Sequence, residues 1–283
     1  MLIEAEKANY PIALMCRVLG VSRSGWYAGR ARVRPSGREP RDTELVQRMR
    51  EVHGASRGTY GSPRVHAQLV RDGVAVGKEP VERLMRGDGL QGRVRRRFKV
   101  TTNSKHAEPV APNVLNREFP VRTSDSVWCA DITYVWTASG WVYLAAILDL
   151  ATRRIVGWSM ARHMRTELVE SAMRSALIWR KPASKLMHHS DRGSQYASKS
   201  YRGLLARHGI ECSMSRKGDC YDNAVMESFF GTYKQEPVFH ESWSGLLESR
   251  AAPHDYIEIF YHRQRLHSSL GYRTPAEVDK ATA

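Results

Sequence analysis

No uninterrupted apolar run in the 283 residues approaches the roughly 20 needed to span a bilayer as a helix, which excludes a membrane-spanning segment. Cysteine is scarce: Cys16, Cys129, Cys212 and Cys220 are scattered, with no CxxC pair and no clustered His/Cys spacing. That excludes a disulfide-stapled scaffold and indicates no structural zinc site. Met1 is followed by Leu-Ile-Glu-Ala-Glu-Lys, which lacks the basic-then-apolar order of a signal peptide. A reduced, cytoplasmic protein with no membrane partner is expected. No internal repeat or low-complexity tract is present, and the length suits about two domains.

Acidic residues are also in short supply. Against 44 Lys+Arg stand 29 Asp+Glu, a net charge of +15. Residues 1–110 hold 22 basic and 11 acidic residues, a net of +11, whereas 111–283 hold 22 and 18, a net of +4. The densest run is Arg93-Val-Arg-Arg-Arg-Phe-Lys99, with Arg95, Arg96 and Arg97 at its centre. A positive field of that extent suits a polyanion, most often nucleic acid, because each phosphate contact releases counterions. A solubilising basic surface is the bland alternative.

The basic part reads as helical. Ile12, Leu14, Met15, Val18 and Leu19 recur at helical spacing before Gly20-Val-Ser22, where Ser22 can cap a second helix starting at Arg23. Helix, short turn and helix with basic and aromatic residues at its start is a helix-turn-helix shape, with Arg23 a candidate DNA contact. Trp26 and Tyr27 serve equally as DNA contacts or as packing staples. Arg34–Arg41 reads as a loop, followed by helices over Asp42–Val52, Arg64–Arg71 and about Lys78–Arg86. The expected division is a helical basic region over 1–100, a linker over 101–118 and an α/β domain with a helical tail over 119–279.

From Val127 the pattern changes to strand formers. Val127–Trp136, Trp141–Leu148 and Ile155–Met160 predict three strands, followed by a helix over Thr166–Trp179 and a strand over Lys185–His189. A helix over Ser198–His208, a strand over Glu211–Met214 and a helix over Tyr221–Lys234 complete the order β-β-β-α-β-α-β-α, an α/β layer fold with a mixed sheet.

Three carboxylates occupy notable places in that layout. Asp131 lies mid-strand, where aspartate is poorly suited. Asp191 falls where the fourth strand ends, and Glu227 lies on an amphipathic helix among Val225, Phe229 and Phe230. Adjacency of the first and fourth strands would bring Asp131 and Asp191 together. Converging carboxylates repel, and a pair of divalent cations with oxygen ligands, Mg²⁺ or Mn²⁺, resolves the conflict. Such a site serves phosphodiester cleavage and transfer. By contrast, Asp149 reads as a turn residue, Asp222 and Asn223 as helix caps, and His188 and His189 as locally hydrogen-bonded strand-end residues. Asn223, one turn before Glu227, also has the reach to approach the site.

The segments Trp128-Cys-Ala-Asp-Ile-Thr-Tyr134, His189-Ser-Asp-Arg-Gly-Ser-Gln-Tyr196 and Lys217 to Glu236 closely resemble bacterial insertion-sequence transposases of the IS-three family, in particular the second-frame product OrfB. Cys16–Ser22, Tyr60-Gly61 and Tyr261–Pro275 share that resemblance, which thus covers nearly the whole chain. It implies a retroviral-integrase-like (RNase H-like) core preceded by a helical DNA-binding region, without the zinc-binding domain of the viral enzymes. It implies that Asp131, Asp191 and Glu227 are a D-D-E triad holding two Mg²⁺ ions, and that Lys234 holds a DNA-end phosphate. The implied activity is cleavage at insertion-sequence ends and strand transfer by the freed 3′-hydroxyl, on terminal inverted repeats and target DNA. The implied partner is OrfA, or a frameshift fusion with it, with the protein multimeric on paired ends. The competing readings are a DNA-binding modulator of the fused transposase and an RNase H-like nuclease that cuts without joining.

Overall fold

In the computed structural model the described residues are 2–32, 38–93, 108–121, 123–138, 140–182, 185–216, 220–238 and 251–282. Six helices come first: α1 (Leu2–Glu6), α2 (Ile12–Val18), α3 (Arg23–Arg32), α4 (Arg38–Ala55), α5 (Ser62–Arg71) and α6 (Lys78–Gly87). Ser22 caps α3 as its position suggests, its Oγ accepting the Gly25 N–H at 2.9 Å. The loop expected over Arg34–Arg41 is corrected in part: residues 38–41 already belong to α4, and 33–37 lie outside the described residues. Pro40 falls in the first turn of α4, where the missing N–H leaves no helical bond unmade.

Five strands form one sheet: β1 (Val127–Thr137), β2 (Gly140–Asp149), β3 (Ile155–Ala161), β4 (Met187–Ser190) and β5 (Glu211–Met214), in the order β3-β2-β1-β4-β5. β1–β2 and β2–β3 are antiparallel, and β1–β4 and β4–β5 parallel. The crossovers run through α7 (Thr166–Arg180), and through α8 (Ser194–Ala197) with α9 (Lys199–Arg207). Further helical elements among the described residues include α10 (Ala224–Tyr233), a π-helical stretch over Asp255–Tyr261 and α11 (Pro275–Thr282). The expected mixed α/β layer architecture is the one observed.

Alternation along β1 sends side chains to opposite faces. Trp128 and Ala130 join Leu168, Val169, Met173 and Tyr201 of the crossover helices in one core. Val127, Cys129 and Val135 join Met226, Phe229 and Phe230 of α10 and Tyr256 and Phe260 of the returning chain in another. Helices therefore cover both faces, and β1 is the central strand. Close approach of α7 to the sheet depends on Gly157: a Cβ there would stand 2.4 Å from the Ala172 carbonyl oxygen and 2.7 Å from the Ala176 Cβ.

A third core holds the helical part together: Met49, Tyr60, Val65, Leu69, Val81 and Met85, closed by Leu266 from the far end of the chain. Tyr60 Oη donates to the Gln264 carbonyl at 3.1 Å and accepts the Leu266 N–H at 2.7 Å. Arg71 pairs with Glu277 of α11, and Arg57 with Asp255. Among the described residues no helix is long and apolar enough to cross a membrane.

Candidate active site

β1 and β4 pair in parallel up to Ala130↔Ser190, and β4 ends there. Asp131 is the next residue of β1 and Asp191 the first residue past β4, so parallel pairing of neighbouring strands brings the two aspartates together at the end of the shared ladder. Asp131 shares its face of β1 with Cys129 and Val135, the face α10 covers. Each aspartate also binds backbone just ahead of it: Asp131 Oδ1 accepts the Ile132 N–H at 2.7 Å, and Asp191 Oδ1 the Gly193 N–H at 2.9 Å.

Glu227 stands exposed on α10, whose neighbours Met226, Phe229 and Phe230 are buried. Its charge, like that of Asp191, acts on Asp131. Burial pushes the Asp131 carboxyl well above the usual carboxylate range, and the Asp191 charge adds to that. The Ile132 N–H and the Lys234 ammonium pull the other way, while Glu227 raises it further. Among the described residues no three His, Cys, Asp or Glu side chains are gathered closely enough to cage a metal ion. The donor chemistry nevertheless fits a hard divalent cation: the groups are oxygen-only carboxylates, and burial with the neighbouring Asp191 charge makes one of them resist ionising.

Lys234 departs from the expected regular helix. α10 stops at Tyr233, and Lys234 opens a π turn over Lys234–Val238. Arg93 braces that turn, donating to the Gln235 and Glu236 carbonyls at 2.9 and 2.8 Å. Glu236 is buried against Arg265 and accepts the Tyr256 hydroxyl at 2.6 Å. The Lys234 ammonium is half-buried 4.7 Å from the Tyr134 ring centre. Burial lowers its pKa and the Asp131 charge raises it.

Of the two expected caps, Asn223 does stand at the N-cap position of α10 but its side chain makes no cap bond, and Asp222 is not a cap: it is fully buried and takes Arg117 Nε at 2.8 Å, the Arg216 N–H at 2.8 Å and Asn113 Nδ2 at 2.8 Å. Two guanidiniums and these donors hold its carboxyl far below the usual range against the cost of burial. Asn223 turns to the sheet instead, donating to the Ala130 carbonyl at 3.2 Å, one residue from Asp131. Arg216 lies six residues before Asp222, but Arg117 lies 105 residues before it, beyond the reach of any local reading.

The readings of Asp149 and the two histidines hold. Asp149 accepts the Thr152 N–H at 2.8 Å and the Asp125 N–H at 2.6 Å, closing the turn between β2 and β3. His188 bonds Tyr201 Oη, and His189 bonds the Ser213 and Ser215 hydroxyls. Burial drops them to about 3 and about 4, so both are neutral. Of the candidate DNA contacts, Arg23 is exposed at the start of α3, while Arg95, Arg96 and Arg97 lie outside the described residues. Trp26 and Tyr27 meet edge to face with centroids 4.7 Å apart.

A family model described as an integrase core domain matches residues 122–220, and another of the same description matches 208–275. An HTH-like domain model matches 40–98, placing that match on α4 to α6, downstream of the Pro11–Arg32 helix pair. The uncharacterized 31 kDa protein of insertion element IS600 from Shigella sonnei is 45% identical over 262 residues, 93% of this chain and 96% of that one. Transposase InsF for insertion sequence IS3A, from Escherichia coli strain K12, is 37% identical over 278 residues, 98% of this chain and 96% of its own length. Among solved structures, the catalytic core domain of BIV integrase is similar at 14% identity and a TM-score of 0.42, covering 56% of this chain and 95% of that one.

Proposed function

The chain belongs to the IS3 family of insertion-sequence transposases, and we propose that Asp131, Asp191 and Glu227 are the carboxylates with which it cuts and joins DNA. It is a DNA transposase: an integrase core supplies the phosphodiester transfer, and the HTH-like helices bind DNA. The observation that carries the site assignment is that Asp131 and Asp191 lie one step beyond the Ala130↔Ser190 rung, with the Glu227 charge acting on the Asp131 carboxyl.

Asp131, Asp191 and Glu227 would hold two Mg²⁺ ions, with Mn²⁺ as a substitute. When bound, the ions neutralise charge on the attacking and departing oxygens. Water first attacks the phosphodiester at the element end; a P–O bond forms, the opposite one breaks, and the departing 3′ oxygen takes up a proton. The freed 3′-hydroxyl then attacks a second phosphodiester in line: its oxygen bonds to phosphorus and gives up its proton, while the 3′ oxygen of the attacked strand departs and takes one up. Lys234 grips a phosphate beside the scissile bond, held over Tyr134 and by the braced π turn. No covalent link between protein and DNA forms, so no Ser or Tyr nucleophile is assigned.

The domain assignment offered is a helical DNA-binding region over 1–100, with Arg23 and Arg95 to Arg97 contacting DNA, a linker over 101–118 and a core with its tail over 119–279. The partners are terminal inverted repeats, target DNA, OrfA or its fusion, and further copies of the chain on paired ends. The compartment is the cytoplasm, where such DNA lies.

The test is Mg²⁺-dependent strand transfer from a pre-cut labelled element end into plasmid, with and without OrfA, for wild type, Asp131→Asn and Glu227→Gln. Transfer by wild type, and a loss of at least ~10²-fold in both variants, is the expected result, matching several kcal/mol of lost charge stabilisation. Equal transfer by the variants would sink the triad. Cleavage without joining would favour the nuclease reading, and DNA binding without either reaction the modulator.

A further inference from the structure

Four parts of the chain meet around a cavity of about 300 Å³: α5, the β2–β3 turn, α10, and the segment from Tyr261 to Ser269. Its charged lining is of one sign. Arg64 comes from α5, Arg153 from the turn and Arg265 from the returning segment, beside the His267 imidazole, with no Asp or Glu in the wall among the described residues. Hydroxyls complete it, from Ser228 and Thr232 on α10 and from Ser268 and Ser269.

These cations are under-compensated. Among the described residues only Arg265 bonds a carboxylate, Glu236, through Nε at 3.0 Å, although the Glu236 charge also acts on Arg64. Arg64 gives its Nε to the Leu266 carbonyl at 3.0 Å. Among the described residues the Arg153 guanidinium makes no hydrogen bond or ion pair, although the Asp149 charge acts on it. Arg153 also sits in the left-handed region at φ 60°, uncommon for a long side chain, in the turn that Asp149 fixes. His267 is only 9% exposed, and its Nε2 has no hydrogen-bond partner among the described residues. Burial first, then Arg265, Arg64 and Arg153, hold that imidazole well below its ordinary range. A tetrahedral anion would supply the missing acceptors and relieve the mutual repulsion of three guanidiniums.

We propose that this pocket binds a phosphate of the DNA backbone. It rests on the reading that DNA is the substrate, and it adds a grip outside the carboxylate site. Ser228 follows Glu227 directly in α10, so a strand held there runs past the helix that presents the glutamate. Because Arg64 belongs to the HTH-like helices and Arg153 to the integrase core, one phosphate would bridge the two.

Two measurements separate a DNA phosphate from a free anion: fluorescence anisotropy of a labelled element-end duplex across a KCl series, and thermal unfolding in inorganic phosphate against chloride at equal ionic strength. The proteins are wild type, Arg153→Gln and Ser269→Asp, the last placing a negative charge on an exposed rim residue that the fold does not bury. Both variants are expected to weaken binding uniformly across sequences, to lower the salt slope by about 1 and to lose any protection by phosphate. Phosphate protection lost in the variants with DNA binding unchanged would make this a free-anion site and overturn the DNA assignment. Unchanged slope together with no phosphate protection of wild type would overturn the site altogether. A wild type that binds no DNA would sink the transposase reading and the DNA source with it, leaving the phosphate arm to decide the pocket alone.

Discussion

The Lys234 ammonium lies 4.7 Å from the centre of the Tyr134 ring, and Tyr134 is three residues along β1 from Asp131. The ring face stabilises the cation by roughly 0.5–2 kcal/mol and fixes it over the strand that carries the aspartate. Lys234→Met is expected to lower the salt slope of element-end binding by about 1. Tyr134→Phe keeps the ring and should leave binding unchanged, whereas Tyr134→Leu should weaken it. Equal affinity of all three with wild type, by anisotropy, would remove Lys234 from the DNA grip.

Asp131 sets function against stability. Its folded carboxyl holds its proton more tightly than the unfolded chain does, owing to burial and then Asp191. The sign follows from linkage: this group favours the fold at low pH, and that contribution fades as pH rises from the ordinary carboxylate value through the raised folded one. Asp131→Asn should therefore raise the Tm at neutral pH while abolishing strand transfer, and the gain should shrink in acid. Mg²⁺ should narrow the gap by stabilising wild type alone. Calorimetry at pH 4 and pH 8 checks both.

His188 and His189 give a separate acid limit. Both are buried and neutral, their folded values lowered to about 3 and about 4 chiefly by burial. Their depressed values leave stability intact above about pH 6.5, then remove it as the unfolded chain takes up protons that the folded one refuses. Urea midpoints should fall between pH 6.5 and 4, and His189→Gln should flatten that fall.

The Glu236–Arg265 pair is buried on both sides, at 5% and 6% side-chain exposure. Removing one partner leaves a buried charge without compensation, a loss on the order of 3–5 kcal/mol. Glu236→Ala should show that loss in denaturant unfolding and should also loosen the π turn at Lys234, so transfer falls in the surviving folded protein.

Gly157 makes the tightest prediction about packing. With backbone atoms of α7 inside 3 Å of any added Cβ, Gly157→Ala forces α7 away from β3. A loss of about 1–3 kcal/mol is expected, read as a lower denaturation midpoint at unchanged slope.

Strands were legible in the sequence because β-branched and aromatic runs such as Val127–Thr137 carry their own signal. Asp131 and Asp191 were legible as candidates because an aspartate within a strand, and another at a strand end, are locally odd. Their meeting was conditional, since strand adjacency depends on the α7 crossover, a non-local event. Asp222 and Asn223 look like caps to any local reading; Arg117 and Ala130, about 100 residues away in sequence, outcompete the helix end for them. The π turn at Lys234 was equally hidden, because Arg93, which braces it, approaches from the helical part.

Leu266 completes the Met49–Tyr60–Val65 core from 206 residues beyond the tyrosine that bonds its amide. The earliest-made helices thus wait on a stretch that leaves the ribosome far later, and until it arrives their apolar interior stays open to solvent. Such remote closure slows folding, since the loop must be sealed before its contacts repay the ordering. A fragment ending before Leu266 would lack that plug and carry a sticky patch in its place, making the helical part an expression hazard when cut away from its own downstream sequence.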